Sequence, residues 1–237
     1  MPTFTELLDD AALLSFEHQL HLADVLGDHS WHVDLARPAF DFTGATPRTC
    51  SRVHLLGSAA PGPGTWLWGW ANPTDYPTAV IGLGEYVRDF GRRHAIPELA
   101  EPEVPFASLP GSPGDPHLVA GMFLEAAKAV SNVWTSYCGE VAGGTRAAFL
   151  LEHPDFALPP PDPARVTRIL TETTAELELR DPRRALHSYA ARRGLNPAFD
   201  PNGSRLTMSG PGLALTVHFG PDGRVGEITS SMGAATS

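Results

Sequence analysis

The chain is short of lysine, of cysteine and of long runs of one kind, and each shortage narrows what it can be. Lys128 is its single lysine, against sixteen arginines. With abundant Ala, Gly and Pro, that is the composition of a GC-rich genome, a matter of coding before chemistry. Cys50 and Cys138 are far apart and form no C-x-x-C, so no disulfide framework is indicated. The formal charge is -10 and no basic stripe is visible. Such a surface repels phosphate backbones, which argues against nucleic-acid binding. No apolar run approaches the length of a bilayer span, so no membrane partner is expected. The segment Met1 to Asp10 has neither a basic n-region nor an apolar h-region. The expectation is a soluble cytoplasmic protein with two reduced thiols.

Signatures of common chemistries are missing as well. Ser15 and Ser136 lie in no G-x-S-x-G elbow. Gly82-Leu83-Gly84 lacks a third glycine and falls inside an expected helix, so it is no dinucleotide fingerprint. There is no phosphate-binding G-x-x-x-x-G-K-[ST]. Cys138, beside Tyr137 at the end of an expected strand, reads most simply as an inert thiol.

What is present is tryptophan. Thr65-Trp66-Leu67-Trp68-Gly69-Trp70-Ala71-Asn72 carries three of the five in the chain. On a strand, residues two apart share a face. Trp66, Trp68 and Trp70 then form one aromatic stripe, with Leu67, Gly69 and Ala71 behind it. A strand apolar on both faces belongs inside a sheet, covered on both sides, and Gly69 leaves room for a helix on the second face. The stripe is either core or the floor of a ligand pocket, and its periodicity favours core.

The rest of the pattern is α+β. A helix is expected at residues 5–26, with Leu13, Phe16 and Leu20 on its apolar side and Gly27 as its stop. Strands are expected at 31–35, 39–43, 51–57 and 65–71. Their short connections favour one antiparallel meander. A helix at 78–94, a short strand at 104–108 and an apolar, buried helix at 118–130 follow. A hairpin of 133–138 and 146–152 turns around Gly143-Gly144. Leu158-Pro159-Pro160-Pro161 marks a linker, dividing an N-terminal α+β domain, 1–157, from a C-terminal domain, 162–237. The latter holds helices at 163–179 and 182–193 and then a β-meander, an α-α-β-β-β-β unit. Met232 to Ser237 should fray.

The helix around Phe16-Glu17-His18, the Trp31 strand and the tryptophan block together resemble a family of uncharacterised bacterial domains, over about residues 5–152. The resemblance implies an intracellular bacterial α+β domain and assigns no catalytic residue.

Two functions remain open. The leading one is a non-enzymatic binding module for a protein partner or a small apolar ligand, without cofactor, using Trp66, Trp68, Trp70 and Tyr137. The other is an enzyme with a His/carboxylate site on the first helix and the loop after it. Glu17 and His21 are an i, i+4 pair, His18 and His21 are helix-surface neighbours, and His32 follows closely. Two imidazoles and a carboxylate can hold zinc or iron in an open site, though the spacing matches no H-E-x-x-H.

Overall fold

The structure is a computed structural model that describes residues 1–177 and 179–231. The expected fraying of Met232 to Ser237 lies outside the described residues. Backbone contacts group the chain into two compact units. The first holds Met1–Leu8 and His18–Ala157; the second holds Asp9–Glu17 with the chain from Leu158 on. The continuous bounds read from the sequence differ from this grouping in residues 9–17, the middle of α1 (Phe4–Leu26). That helix opens on a capping box. The Thr3 hydroxyl accepts from the Glu6 amide, and the Glu6 carboxylate accepts from the Thr3 amide at 2.7 Å.

In the first unit, β1 (His29–Asp34), β2 (Ala39–Gly44) and β3 (Arg48–Cys50) form a three-stranded antiparallel sheet. A second, antiparallel sheet of five strands has the order β6-β5-β4-β8-β7. Its members are β4 (Arg52–Ala60), β5 (Thr65–Trp68), β6 (Glu103–Pro105), β7 (Ser136–Glu140) and β8 (Arg146–Glu152). The single meander expected over the first four strands is therefore corrected. It breaks after Cys50, because β4 pairs with distant β8, Val53 opposite Leu151, instead of continuing from β3.

The five-stranded sheet is buried on both faces. Ala148 and Leu150 of β8 join Leu56, Trp66 and Trp68 beneath α2 (Thr78–His94) and α4 (Pro116–Ser131). Ala147, Phe149 and Leu151, alternating with them, pack on Phe40 and Phe42 of the smaller sheet. The tryptophan strand is shorter than its pattern. After Trp68 the chain enters a 3-10 turn, Gly69–Ala71, so Trp70 is not a strand residue. Nor does Gly69 admit a helix: a Cβ there would lie 2.7 Å from the Leu55 carbonyl of β4. The short strand near residue 104 ends at Pro105 in another 3-10 turn, and α4 starts at Pro116, where Asp115 caps it. Gly143 and Gly144 turn the β7–β8 hairpin at φ 62° and 77°, a region open to glycine. A short helix, α3 (Pro97–Ala100), completes the unit.

The second unit joins residues 9–17 of α1 to α5 (Pro163–Glu176), α6 (Pro182–Arg192) and an antiparallel sheet ordered β12-β11-β10-β9. The strands are β9 (Ala198–Phe199), β10 (Arg205–Gly210), β11 (Leu213–Phe219) and β12 (Val225–Ser231). Leu213, Leu215, Val217 and Phe219 are buried on β11 and their neighbours are not, the alternation of a half-covered sheet. Among the described residues no helix is long and apolar enough to cross a membrane.

Candidate functional site

Trp66 and Trp68 have no exposed surface. Trp66 stacks on Phe123 at 4.4 Å, Trp68 meets both rings edge-on, and its indole N–H donates to the Glu98 carbonyl at 3.1 Å. These two indoles are packing elements. Trp70, half-buried, lies under the Arg88 guanidinium at 5.2 Å. No hollow described below is lined by any of the three.

Tyr137, the fourth residue of that set, lies elsewhere, on a cleft at the open edge of the five-stranded sheet. The cleft encloses about 380 Å³, between α4, the second half of α1 and strand β7. Helix α4 builds its floor. Val119, Ala120, Phe123 and Ala127 face the sheet and are buried. His117, Gly121, Glu125 and Lys128, spaced four, four and three apart, fall on another stripe, and all four line the cleft. A Cβ built on Gly121 meets nothing within 4 Å, because that position faces the open space. Mid-helix glycine costs roughly 0.5–1 kcal/mol relative to alanine, and here it leaves the cleft unfilled.

Lys128 is the central feature. It is 1% exposed, and lysine is almost never that buried unless paired. Its Nζ lies 3.0 Å from Oε1 of Glu125, whose side chain is 26% exposed. The ammonium is thus out of water while its carboxylate partner reaches toward it. Across the cleft, strand alternation turns Ser136 and Cys138 to one face and Tyr137 to the other. Gln19 on α1 donates to the Ser136 hydroxyl at 2.7 Å and to its carbonyl at 3.1 Å, which fixes that wall. Tyr137 reaches the rim from the far face, its hydroxyl 3.4 Å from Nε2 of His29. Burial, with a small contribution from Cys138, pushes the Tyr137 phenol above its ordinary value. Burial likewise raises the Cys138 thiol, with Arg146 opposing and Asp115 reinforcing the rise. Both groups stay protonated near neutral pH, which disfavours a nucleophilic role for either.

The proposed histidine set is dispersed. Glu17 has no exposed surface and belongs to the second unit. There Arg193 lies 3.0 Å away, Arg165 lies 3.3 Å away, and the Tyr189 hydroxyl donates to it at 3.0 Å. Burial, then the Glu17 charge, drives the Tyr189 phenol far upward. His18 stacks on Trp134 at 6.1 Å, beside a larger, more open hollow of about 540 Å³ whose Glu152 is held by His54 and Arg52. His21 is half-buried, and His32 is exposed on β1 opposite Asp41. Among the described residues no group of three or more His, Cys, Asp or Glu side chains is placed to hold a metal ion.

Lys128 and Glu125 were missed in the sequence. The available signal was an i, i+3 pair of opposite charges on a helix otherwise apolar all round, where charge must find a special place.

The fold and cleft thus define an α+β domain with a polar recess at a sheet edge. Residues 5–154 match a family of unknown function, DUF6882, and the chain belongs to that family. The matched segment contains every cleft residue named above. No curated protein and no solved structure matches the chain.

Proposed function

We propose that the first unit is a small-molecule-binding domain whose ligand occupies the cleft over Lys128. The carrying observation is that the only lysine of the chain is buried against a carboxylate in the wall of this recess. A volume of about 380 Å³ lies in the range of small-ligand pockets, which combine apolar walls with a few convergent polar groups. Leu124 and Gly121 supply the former; Lys128, Ser136 and Tyr137 supply donors. The chemistry favours a compact ligand bearing an oxygen acceptor on an apolar body. This retains the small ligand and the Tyr137 contact of the binding reading and moves the site from the tryptophan strand to the β7 edge.

Benzoate is a suitable probe. Titrated into isotope-labelled protein, it should shift the amide signals of Gly121, Tyr137 and Cys138 together. Gly121→Leu, whose Cβ meets nothing within 4 Å and whose side chain extends into the cleft, should abolish the response. Shifts absent from these residues, or unchanged in Gly121→Leu, would refute the assignment.

A further inference from the structure

We infer that Lys128 is a carbonyl-reactive amine, which forms a reversible imine with small aldehydes or 2-oxo acids entering the cleft. This rests on the binding reading above and names its ligand class.

Three observations converge. First, the one lysine of the chain, against sixteen arginines, is the residue buried at this cleft. Arginine supplies charge and a fork of donors but does not lose its proton; a lysine amine does, and then carries a nucleophilic lone pair. Second, the amine is desolvated, 1% exposed, yet borders a cleft open to solvent, the setting in which lysine acts as a nucleophile toward carbonyls. Third, Oε1 of the Glu125 carboxylate is 3.0 Å from Nζ, within the reach required of a general base.

The chemistry balances without an added co-reactant. Glu125 takes a proton from the Lys128 ammonium, and the Nζ lone pair attacks the carbonyl carbon. The carbonyl π electrons move to oxygen, which takes the second nitrogen proton and becomes the hydroxyl of a neutral carbinolamine. Glu125 then returns its proton to that hydroxyl, and water leaves as the nitrogen lone pair closes the C=N bond, giving an imine that keeps the third proton. Nothing is oxidised or reduced. The Ser136 hydroxyl, held by Gln19 at 2.7 Å, lies on the wall of the same cleft and can donate to the oxygen.

The single lysine makes the test clean, because the terminal α-amine is the only other primary amine in the chain. The protein is incubated with glyoxylate and cyanoborohydride, which reduces an imine to a stable secondary amine, and its peptides are weighed. The expected result is one reduced adduct on the peptide carrying Lys128, formed faster than at the α-amine. Glu125→Gln should slow it roughly a hundredfold, with the α-amine rate unchanged. Gly121→Leu should abolish it. Label on the α-amine alone in the wild type would overturn the inference, as would equal labelling of Lys128 in wild type and Glu125→Gln. The benzoate titration separates the two claims, since benzoate forms no imine. Benzoate shifts in the cleft without a Lys128 adduct would sink the amine chemistry and leave the binding site standing. Absence of both would sink both.

Discussion

In the first unit Lys128 is a buried charge, paired with the Glu125 carboxylate and bordering a cleft. In the second Glu17 is one, enclosed by Arg165, Arg193 and Tyr189. Both are charges taken out of water, and each needs compensation. They differ in setting. Glu17 receives two guanidiniums and a hydroxyl on its two oxygens, so its lone pairs are engaged within the protein. Lys128 sits where a small molecule can approach. A closed network of this kind specifies structure; a charge at the wall of a recess is available to a ligand.

Removing one partner of a closed buried network leaves the others uncompensated, so the largest effect is expected at Glu17. Glu17→Gln should destabilise the second unit by roughly 3–5 kcal/mol, read by urea unfolding. A loss under about 1 kcal/mol would mean that the arginines are satisfied by water. Trp68→Ala sets the matching scale for the first unit, since it opens a large void in a dry core. It too should cost roughly 3–5 kcal/mol, and half-buried Trp70→Ala distinctly less. Equal losses for the two tryptophans would contradict the packing described.

A pH effect follows from Cys50, which has no exposed surface. Burial, with the Asp41 charge adding to it, pushes its thiol from 9.0 up to about 12. The folded value exceeds the unfolded one. The group's contribution is therefore fully present below pH 9 and is lost as pH rises toward about 12. The urea midpoint should fall across that window, and less steeply in Cys50→Ala; parallel curves would remove Cys50 from the account.

The linker offers a test without mutation. We propose that Pro159 to Pro161 is the preferred site of limited proteolysis, between about residues 152 and 165. Because the second unit includes residues 9–17, with Asp10 forked by Arg184 at 2.7 and 2.8 Å, the nicked halves should co-elute in gel filtration. Separation into two freely migrating fragments would contradict that grouping.

The smallest effect concerns Gly121. With open space at its Cβ and a helical backbone, Gly121→Ala should stabilise the first unit by roughly 0.5–1 kcal/mol. A loss of stability would mean that the cleft is tighter than described.

Much of this architecture is legible in the chain, for identifiable reasons. The helix at 78–94 is amphipathic with Val80 and Val87 inward, and it has those bounds in the structure. The turn glycines Gly143-Gly144 announce their hairpin. The strand through Trp70 is overread because alternation persists into a turn, and a residue pattern does not record where the backbone leaves the sheet. Sheet membership of β4 is hidden for a different reason. Its partner β8 lies almost a hundred residues on, Arg52 opposite Glu152, and short connections say nothing about such pairings. Of the candidate site, Tyr137 is visible in the sequence. Lys128 is visible only as a lone lysine, because its burial depends on how α4 meets β7.

The claim that Lys128 and Glu125 are kept for the cleft and not for the fold is tested most directly by replacing both. In Lys128→Met with Glu125→Leu, apolar side chains of similar size take the place of the pair. Such replacements are commonly neutral or stabilising, by about 1–4 kcal/mol. The measurement is urea unfolding of this double variant together with the benzoate titration. The account predicts stability equal to or above that of the wild type, with the shifts at Gly121, Tyr137 and Cys138 gone. A variant destabilised by roughly 3 kcal/mol or more, or one that still responds to benzoate, would contradict it.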